Sequence, residues 1–279
     1  MRKLTTKKRG VVLILTFIMM TCLTAITGAF LYMTSIQTKG SGYDTASNKA
    51  LWLAEAGIQK AIWYLKTPVG SGGKGDDWVQ PAPGLTESLG SGSYTLVVSR
   101  WDYALEANGS TADASTSQGG NKASKAIDGN DGTYWESKDA PTVANPQWIR
   151  IIFPYTLMIN KVRFLSTVAA NIPKDYTWQV STDGNSWTTV VTVVGNALTD
   201  RTDEFSIVSN VNYLRLYITA PGTAGQRVRV YTLETIGPKI TSTSTVSGVN
   251  RKIEQTVVAE DGTGTAAHQK DWNEIVPAI

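Results

Sequence analysis

The fold begins with Val11–Met33, VVLILTFIMMTCLTAITGAFLYM, a stretch without a single charged side chain. As a helix rising 1.5 Å per residue it would span about 34 Å, enough to cross the roughly 30 Å hydrocarbon core of a bilayer. The preceding residues include five basic side chains: Arg2, Lys3, Lys7, Lys8 and Arg9. Because basic residues stay on the cytoplasmic side, the sequence predicts a single-pass inner-membrane helix with the rest of the chain outside the cytoplasm.

A secretory signal peptide is an alternative explanation, but its apolar region normally runs only about 7–15 residues. Residues 34–66 instead continue the helical pattern as an amphipathic segment. One apolar stripe recurs at three- and four-residue spacing, formed by Leu51, Ala54, Ile58, Ile62 and Leu65. We therefore predict one helix from Val11 to Lys66, with Gly40 and Gly42 as its weakest point.

Leader and helix together resemble the type IV pilins and pseudopilins, specifically minor pilins of the PilX kind. The resemblance depends on Lys7-Lys8-Arg9-Gly10, on the apolar helix and on the segment ALWLAEAGI at residues 50–58. It implies that residues 1–10 are a leader, which prepilin peptidase removes between Gly10 and Val11. It also implies other pilin subunits as partners. Major pilins usually carry glutamate at the fifth mature position; here that position is Leu15, which argues against a role as the major subunit. An ordinary single-pass anchor with a helical stalk is the alternative.

Two segments further along predict a small antiparallel head. Pro68–Gly92 is rich in Gly, Pro and Ser and is predicted to be a loop, whereas Ser93–Ser99 alternates like a half-buried strand. Lys239–Glu260 is rich in Thr and Val and predicts a hairpin. These segments, with the late Trp272, resemble the returning strands of a PilX-like head. We therefore expect residues 67–100 and 238–279 to form one head, interrupted at a surface turn where added loop length costs little.

The interrupting segment, residues 101–237, contains many short β-patterned runs and no helical period, which favours a β-sandwich. The predicted strands are Trp148–Phe153, Lys161–Ser166, Thr177–Ser181, Thr188–Val194, Tyr213–Thr219 and Val228–Ile236. In the fifth of these, Leu214, Leu216 and Ile218 face one side, while Tyr213, Arg215 and Tyr217 face the other.

This segment resembles the discoidin family, the coagulation-factor type C domain also found in galactose-binding-like carbohydrate modules. The matching landmarks, in chain order, are AIDGNDGTYW at 126–135, WIRI at 148–151, STDGNSW at 181–187 and YLRL at 213–216. The resemblance implies an inserted jelly-roll β-sandwich that binds sugars, lipid headgroups or proteins with loops at one end. The expected fold class is therefore α+β: a long N-terminal helix, a small β head and this sandwich.

The turn Asp128–Thr133 gathers hard oxygen ligands of the kind that Ca²⁺ prefers. The family resemblance implies a structural calcium ion bound by this set: Asp128, Asp131, Thr133, backbone carbonyls including that of Lys125, and Glu234 from the last strand. An Asx turn that holds no metal is the alternative.

Ligand recognition is expected in the loops Ser137–Gln147, Ala169–Tyr176 and Ala220–Arg227. Their candidate polar groups are Lys138, Asn145, Asn171, Lys174 and Arg227, each of which also fits a solvated loop side chain. These loops offer no clear aromatic platform for a sugar ring. The tryptophans of the module are expected to pack in its core, namely Trp135, Trp148, Trp178 and Trp187.

Charge and rare residues exclude several functions. The formal net charge of +3 comes from the basic N-terminus, so the remaining chain is slightly acidic and nucleic-acid binding is disfavoured. The chain has one cysteine and one histidine, His268, which is expected in a loose tail. This count excludes a disulfide framework and the usual zinc sites. With its one histidine in the tail, the chain offers no base for a nucleophilic serine, so we expect no enzyme. A surface glycosidase would need two converging carboxylates.

The sequence thus predicts a minor pilin-like protein, stored in the membrane and then displayed on a pilus or the cell surface. Its calcium-stabilised module would serve adhesion or glycan recognition. A membrane-anchored carbohydrate-binding protein that never polymerises, or a type II secretion pseudopilin, is the alternative.

Overall fold

The structure, a computed structural model, describes residues 6–260, 265–268 and 273–275. Its one long helix is α1, Thr6–Lys66. The strands within the described residues are β1 (Gln80–Leu89), β2 (Gly92–Asp102), β3 (Thr111–Ala114), β4 (Trp135–Glu136), β5 (Gln147–Leu165), β6 (Pro173–Ser181), β7 (Thr188–Val193), β8 (Asp200–Pro221), β9 (Arg229–Val230), β10 (Thr232–Val246), β11 (Val249–Glu260), β12 (Thr265–His268) and β13 (Asn273–Ile275). Short 3-10 turns lie at Val69–Ser71, Glu106–Asn108, Ala123–Ala126 and Ala169–Asn171.

The first half of α1 has the character of a membrane span. Residues 11–45 are exposed in the single chain, and their most apolar window has a mean hydropathy of 2.3. Its threonine hydroxyls donate to carbonyls one turn back, as Thr16 does to Leu13 at 2.9 Å, so they carry no unpaired polar group into lipid. The predicted helix is confirmed: it continues through Gly40 and Gly42 without a break and begins earlier, at Thr6.

The second half of α1 covers one face of the head. Ala50, Ala54 and Leu65 are completely buried there, in one cluster with Leu96 of β2 and Ile240 of β10. The helix approaches the sheet closely because residue 57 is glycine. A Cβ at Gly57 would meet the Ser242 hydroxyl and would lie 2.9 Å from the Tyr94 ring.

The head sheet runs in the order β1-β2-β10-β11. The predicted hairpin is confirmed, since β10 and β11 pair from Lys239↔Thr256 to Val246↔Val249. The predicted loop Pro68–Gly92 is wrong over Gln80–Leu89, which is β1. Among the described strands it pairs only with β2, and its register shifts between Gln80 and Leu85. An irregular edge strand of this kind tolerates proline.

The C-terminal tail also differs from the expectation of a loose segment. Thr265–His268 is a strand, and its His268 pairs with Val257 of β11. Trp272 lies outside the described residues.

Strand β10 belongs to both parts of the chain. Its residues Ile236–Val246 pair with Asp102–Gly92 of β2. Its first residues, Thr232–Thr235, pair with Leu165–Val162 of β5 in the inserted module. The expected pairing of the two segments that flank the module is therefore present, and a single extended strand connects head and module.

The module is an antiparallel β-sandwich, and the α+β class is confirmed. Strands β3, β5, β8, β6 and β7 form its main sheet, while β4 and β9 form a separate two-stranded sheet. The sequence indicated two strands, Trp148–Phe153 and Lys161–Ser166, where the structure has the single strand β5. This strand passes Pro154 through a register shift, which accommodates the missing N–H. Strand β8 begins at Asp200, upstream of the predicted Tyr213–Thr219, because its first half is polar and lacks the apolar alternation that marks a strand.

An ion cluster ties the module to the segment that follows α1. The Lys161 ammonium of β5 lies 3.2 Å from Asp76, 2.9 Å from Asp77 and 2.9 Å from Glu204. Its side chain is only 8% exposed. Burial would lower the pKa of Lys161, but the hydrogen bonds to these carboxylates outweigh burial and raise that pKa. Two of these three carboxylates lie outside the module, so separating head and module would leave Lys161 with Glu204 alone.

We predict that Gly57→Ala destabilises the protein by about 1–3 kcal/mol, because the added methyl overpacks the interface between α1 and the head. The control is Gly42→Ala on the same helix, where nothing lies within 4 Å of the new Cβ. That variant should be neutral or up to about 1 kcal/mol more stable. Chemical denaturation of the full chain in detergent measures both; equal stability of the two variants would contradict the close approach.

Candidate binding site at the end of the module

The predicted oxygen-rich turn lies between the 3-10 turn at Ala123–Ala126 and β4. It is built from successive Asx turns: the Asn130 N–H donates to Asp128 Oδ1 at 3.0 Å, and the Gly132 N–H donates to Asn130 Oδ1 at 2.9 Å. Gly129 has a φ of 75°, a conformation that glycine adopts without strain. The turn is therefore held by its own side chains.

The Thr133 hydroxyl is the centre of this turn. It lies 2.7 Å from Asp128 Oδ2, 3.0 Å from the Asn130 carbonyl and 3.3 Å from the Lys125 carbonyl. A hydroxyl has one proton, so it cannot fully satisfy three acceptors at once. Carboxylate, carbonyl and hydroxyl oxygens are the ligand types that Ca²⁺ takes, so these residues fit such an ion.

The other two expected ligands have protein partners. Asp131 Oδ1 lies 2.5 Å from the Thr232 hydroxyl, and Glu234 accepts from Arg163 at 2.7 Å. Among the described residues, no three His, Cys, Asp or Glu side chains cluster as a metal site. Sequence reasoning missed Thr232, although it lies two residues before Glu234 on the same face of β10.

A half-buried carboxylate, Asp102 at the end of β2, lies beside this region. Its Oδ1 accepts from the backbone N–H groups of Ala104 and Thr235, each at 2.9 Å. Burial raises the pKa of Asp102 to about 7, and the negative charge of Glu234 adds to the increase. Asp102 thereby fixes the point where β2 and β10 leave the head and enter the module.

The two-stranded sheet β4–β9 presents a polar and aromatic surface. Trp135 and Val230 are paired and fully buried. Because side chains alternate along a strand, their neighbours lie on the opposite face. These neighbours, which we call the β4–β9 surface, are the half-buried Tyr134, Arg229 and Tyr231 and the buried Glu136.

The β4–β9 surface is held together by ring and ion contacts. The rings of Tyr134 and Tyr231 have centroids 4.8 Å apart and are tilted by 41°. The Arg229 guanidinium lies 5.2 Å from the centre of the Tyr134 ring. Its Nε donates to Glu136 at 2.8 Å, and Asn121 also approaches that carboxylate, at 3.3 Å. The result is an aromatic pair beside fixed hydrogen-bonding groups.

Three of the five predicted ligand-binding residues meet next to this surface. Arg227 Nε donates to the Lys138 carbonyl at 2.9 Å, and Asn171 donates to the Arg227 carbonyl at 2.7 Å. Asn171 is buried, so its side chain positions Arg227. Asn145 and Lys174 are exposed, and no contact joins either to Arg227 within the described chain.

The tryptophan predictions are only half right. Trp135 and Trp178 are fully buried, as expected. Trp148 and Trp187 are half-buried, and their placement in the core is wrong. Trp148 alternates with the fully buried Ile149 and therefore lies on the outer face of the main sheet.

Sequence reasoning also missed Tyr134 and Tyr231 as an aromatic platform. Each is the chain neighbour of a residue on the two-stranded sheet, but they meet only because β4 pairs with β9. The sequence did contain a signal for Tyr134, namely the landmark Trp135. A buried tryptophan in a strand implies that the residue next to it points outward.

Comparison with known families identifies the module. Residues 111–232 match the family model described as "F5/8 type C domain". Residues 111–232 form an F5/8 type C domain. The predicted discoidin resemblance is thereby confirmed for this part of the chain. The F5/8 type C domain includes the oxygen-rich turn, the β4–β9 surface and Thr232 at its last position. No curated protein matches this chain.

Solved structures resemble the same part of the chain. The chitosan-binding module 1 of a chitosanase/glucanase from Paenibacillus sp. IK-5 is 30% identical, with a TM-score of 0.42; the match covers 49% of this chain and 98% of that one. CpGH89CBM32-5 from Clostridium perfringens, in complex with GalNAc-β-1,3-galactose, is 22% identical over 46% and 94% of the two chains, with a TM-score of 0.41. The family 32 CBM of C. perfringens NanJ, in complex with galactose, is 16% identical over 50% and 99%, with a TM-score of 0.43.

Proposed function

We propose that this protein is a membrane-anchored, minor pilin-like surface protein whose F5/8 type C domain binds glycans without catalysis. The observation that carries the proposal is the β4–β9 surface, where two tyrosine rings lie beside a fixed Glu136–Arg229 ion pair. Aromatic rings offer flat apolar contact area to the faces of sugar rings. The adjacent guanidinium and amide groups would orient sugar hydroxyls, as in most ligand sites, and the buried Glu136 carboxylate would hold the guanidinium in place.

The neighbouring loop residues extend this surface. Lys138 follows Glu136 by two residues and Arg227 precedes Arg229 by two, so both continue the same pair of strands toward the loops. Buried Asn171 fixes the backbone of Arg227. We propose that Lys138 and Arg227 contact the ligand and that Asn171 is a positioning residue. The exposed Asn145 and Lys174 would meet only a longer glycan.

The N-terminal helix supports a pilin-like role. Its first half is uniformly apolar and unburied, while its second half packs on the head. Trp52 and Trp63 remain 69% and 40% exposed on the packed half, where they could contact helices of other subunits. An anchored protein that never polymerises needs no such exposed tryptophans, which is why we favour assembly. A pseudopilin of type II secretion would use the same helix.

Calcium would fit the oxygen-rich turn. The Lys125 carbonyl, Asp128 and Thr133 would hold the ion, with Asp131 joining them from its contact with Thr232. Glu234 would have to exchange Arg163 for the ion. Bound calcium would supply fixed positive charge that locks the turn, and the turn leads directly into Tyr134 and β4. Its role here is therefore to stabilise the β4–β9 surface.

We predict that the full chain in detergent binds oligosaccharides on a glycan array that includes galactosides and chitosan oligomers. Tyr231→Ala should weaken binding at least about tenfold, since loss of a central aromatic contact costs more than about 1.4 kcal/mol. The control, Tyr43→Ala, removes an exposed tyrosine from α1 and should bind normally. Wild-type protein that binds no glycan on the array would refute the proposal.

We predict that Ca²⁺ raises the melting temperature of the full chain and that a chelator reverses the rise, because the ion binds only the folded turn. Asp128→Asn should abolish the rise. Asp139→Asn, which alters an exposed carboxylate in the next loop, should keep it. A melting temperature that calcium does not move in the wild type would contradict the metal site.

Co-expression with prepilin peptidase tests the pilin-like role. We expect intact-mass measurement to show loss of residues 1–10, so that the mature chain starts at Val11. Gly10→Leu should block this cleavage, and the chain without peptidase should keep its leader. An intact N-terminus in the presence of active peptidase would support the ordinary anchor instead.

A further inference from the structure

The main sheet of the F5/8 type C domain has a second polar and aromatic surface, on the side away from the core. Along β8, Leu214, Leu216 and Ile218 are buried, so the alternating residues point outward. These residues, their partners on β5 and one turn residue form what we call the outer face: Trp148, Arg150, Trp187, Tyr213, Arg215 and Tyr217. All six are half-buried, so each keeps contact with solvent.

Two arginines lie directly opposite each other on the outer face. Arg150 of β5 pairs in register with Arg215 of β8. Like charges in this position repel and destabilise a sheet. Arg150 is neutralised, because Asp113 of β3 accepts from its Nε and NH2 groups, each at 2.6 Å. That pairing raises the pKa of Arg150.

Arg215 has no such carboxylate. Its Nε and NH2 groups donate to the neutral Gln179 amide oxygen at 2.9 and 2.5 Å. Within the described chain its guanidinium forms no ion pair, and besides Gln179 and the facing Arg150 its neighbours are aromatic rings. It lies 4.0 Å from the centre of the Trp187 ring, 5.1 Å from that of Tyr217 and 6.0 Å from that of Trp148. Burial and the charge of Arg150 both lower the pKa of Arg215.

A half-buried cation that stacks on aromatic rings and has no anionic partner can recognise a negatively charged ligand that contains a ring. Rings of the outer face would contact the apolar side of a sugar, and Arg215 can pair with a carboxylate. Tyr213 and Tyr217 are four residues apart on one strand, about 13 Å, so more than one sugar ring fits along the face. A nucleic acid fits less well, because its dense phosphates need many basic partners, and on the outer face only Arg215 is left unneutralised.

We propose that the outer face is a second glycan-binding site, specific for acidic polysaccharides built from uronic acids, and that Arg215 binds the uronate carboxylate. This site is separate from the β4–β9 surface, so it does not depend on neutral-glycan binding there. The aromatic rings would set the affinity for the polymer chain, and Arg215 would make the site prefer an acidic polymer to a neutral one.

Isothermal titration calorimetry on the full chain in detergent tests this proposal with polygalacturonate and with the same polymer after methyl esterification. We expect the acidic polymer to bind at least tenfold more tightly than its neutral ester. Its affinity should fall as salt is added. Arg215→Gln should lose at least tenfold in affinity for the acidic form. Tyr231→Ala, at the other surface, should bind it like the wild type.

Asp113→Asn provides a variant with the opposite expected effect. It releases Arg150 from its carboxylate, so a second guanidinium becomes available and polygalacturonate should bind several-fold more tightly. This variant decides the question even if Arg215→Gln fails to fold. The proposal is overturned if wild-type protein binds neither polymer or both equally, if Arg215→Gln binds like the wild type, or if Asp113→Asn leaves the affinity unchanged or lower.

Discussion

The pairing of β2 with β10 is the constraint on which the rest of the structure depends. Eleven consecutive register pairs, from Ile236↔Asp102 to Val246↔Gly92, close the head around the inserted domain. The same strand β10 continues into the domain and pairs with β5. Because β10 runs unbroken from the head sheet into the domain, the domain is attached through a sheet. The Lys161 cluster adds a second attachment point nearby.

This arrangement relates the membrane helix to the binding surfaces. Helix α1 packs on the sheet that contains β10, and β10 carries Thr232, which contacts the oxygen-rich turn through Asp131. The turn leads into Tyr134 and the β4–β9 surface. A chain of packed elements thus leads from the proposed anchor to the proposed glycan site, without a flexible linker between β2 and the domain. Such a connection suits a protein that must hold a ligand while its other end is fixed.

Much of this fold was predictable because its signals are local. The uncharged stretch Val11–Met33 predicted the helix, and the Thr- and Val-rich stretch Lys239–Glu260 predicted the hairpin. Strand β1 was not predictable, because its prolines are tolerated only at a sheet edge, a position set by the tertiary structure. The first half of β8 was missed for a related reason: it is polar and pairs with β5 across irregular register.

The candidate sites also differ in how far the sequence alone could reveal them. The oxygen-rich turn is contiguous in sequence, so its ligand types could be recognised directly. Tyr134 and Tyr231 meet only through the pairing of β4 with β9, and Arg215 lies opposite Arg150 only in the observed register. Trp148 was assigned to the core because tryptophan is usually buried, whereas strand alternation puts it outside. A single sequence shows which side chains share a face of one strand, but it does not show which residue of another strand lies opposite them.

Amide hydrogen exchange along β10 in the full chain, followed through increasing denaturant, tests the shared strand most directly. If β10 joins head and domain as one unit, the amides of Thr232–Thr235 and Lys239–Val246 should lose protection together, at one denaturant concentration. Loss of protection in Thr232–Thr235 while Lys239–Val246 stays protected, or the reverse, would show that head and domain are independent and would contradict the account.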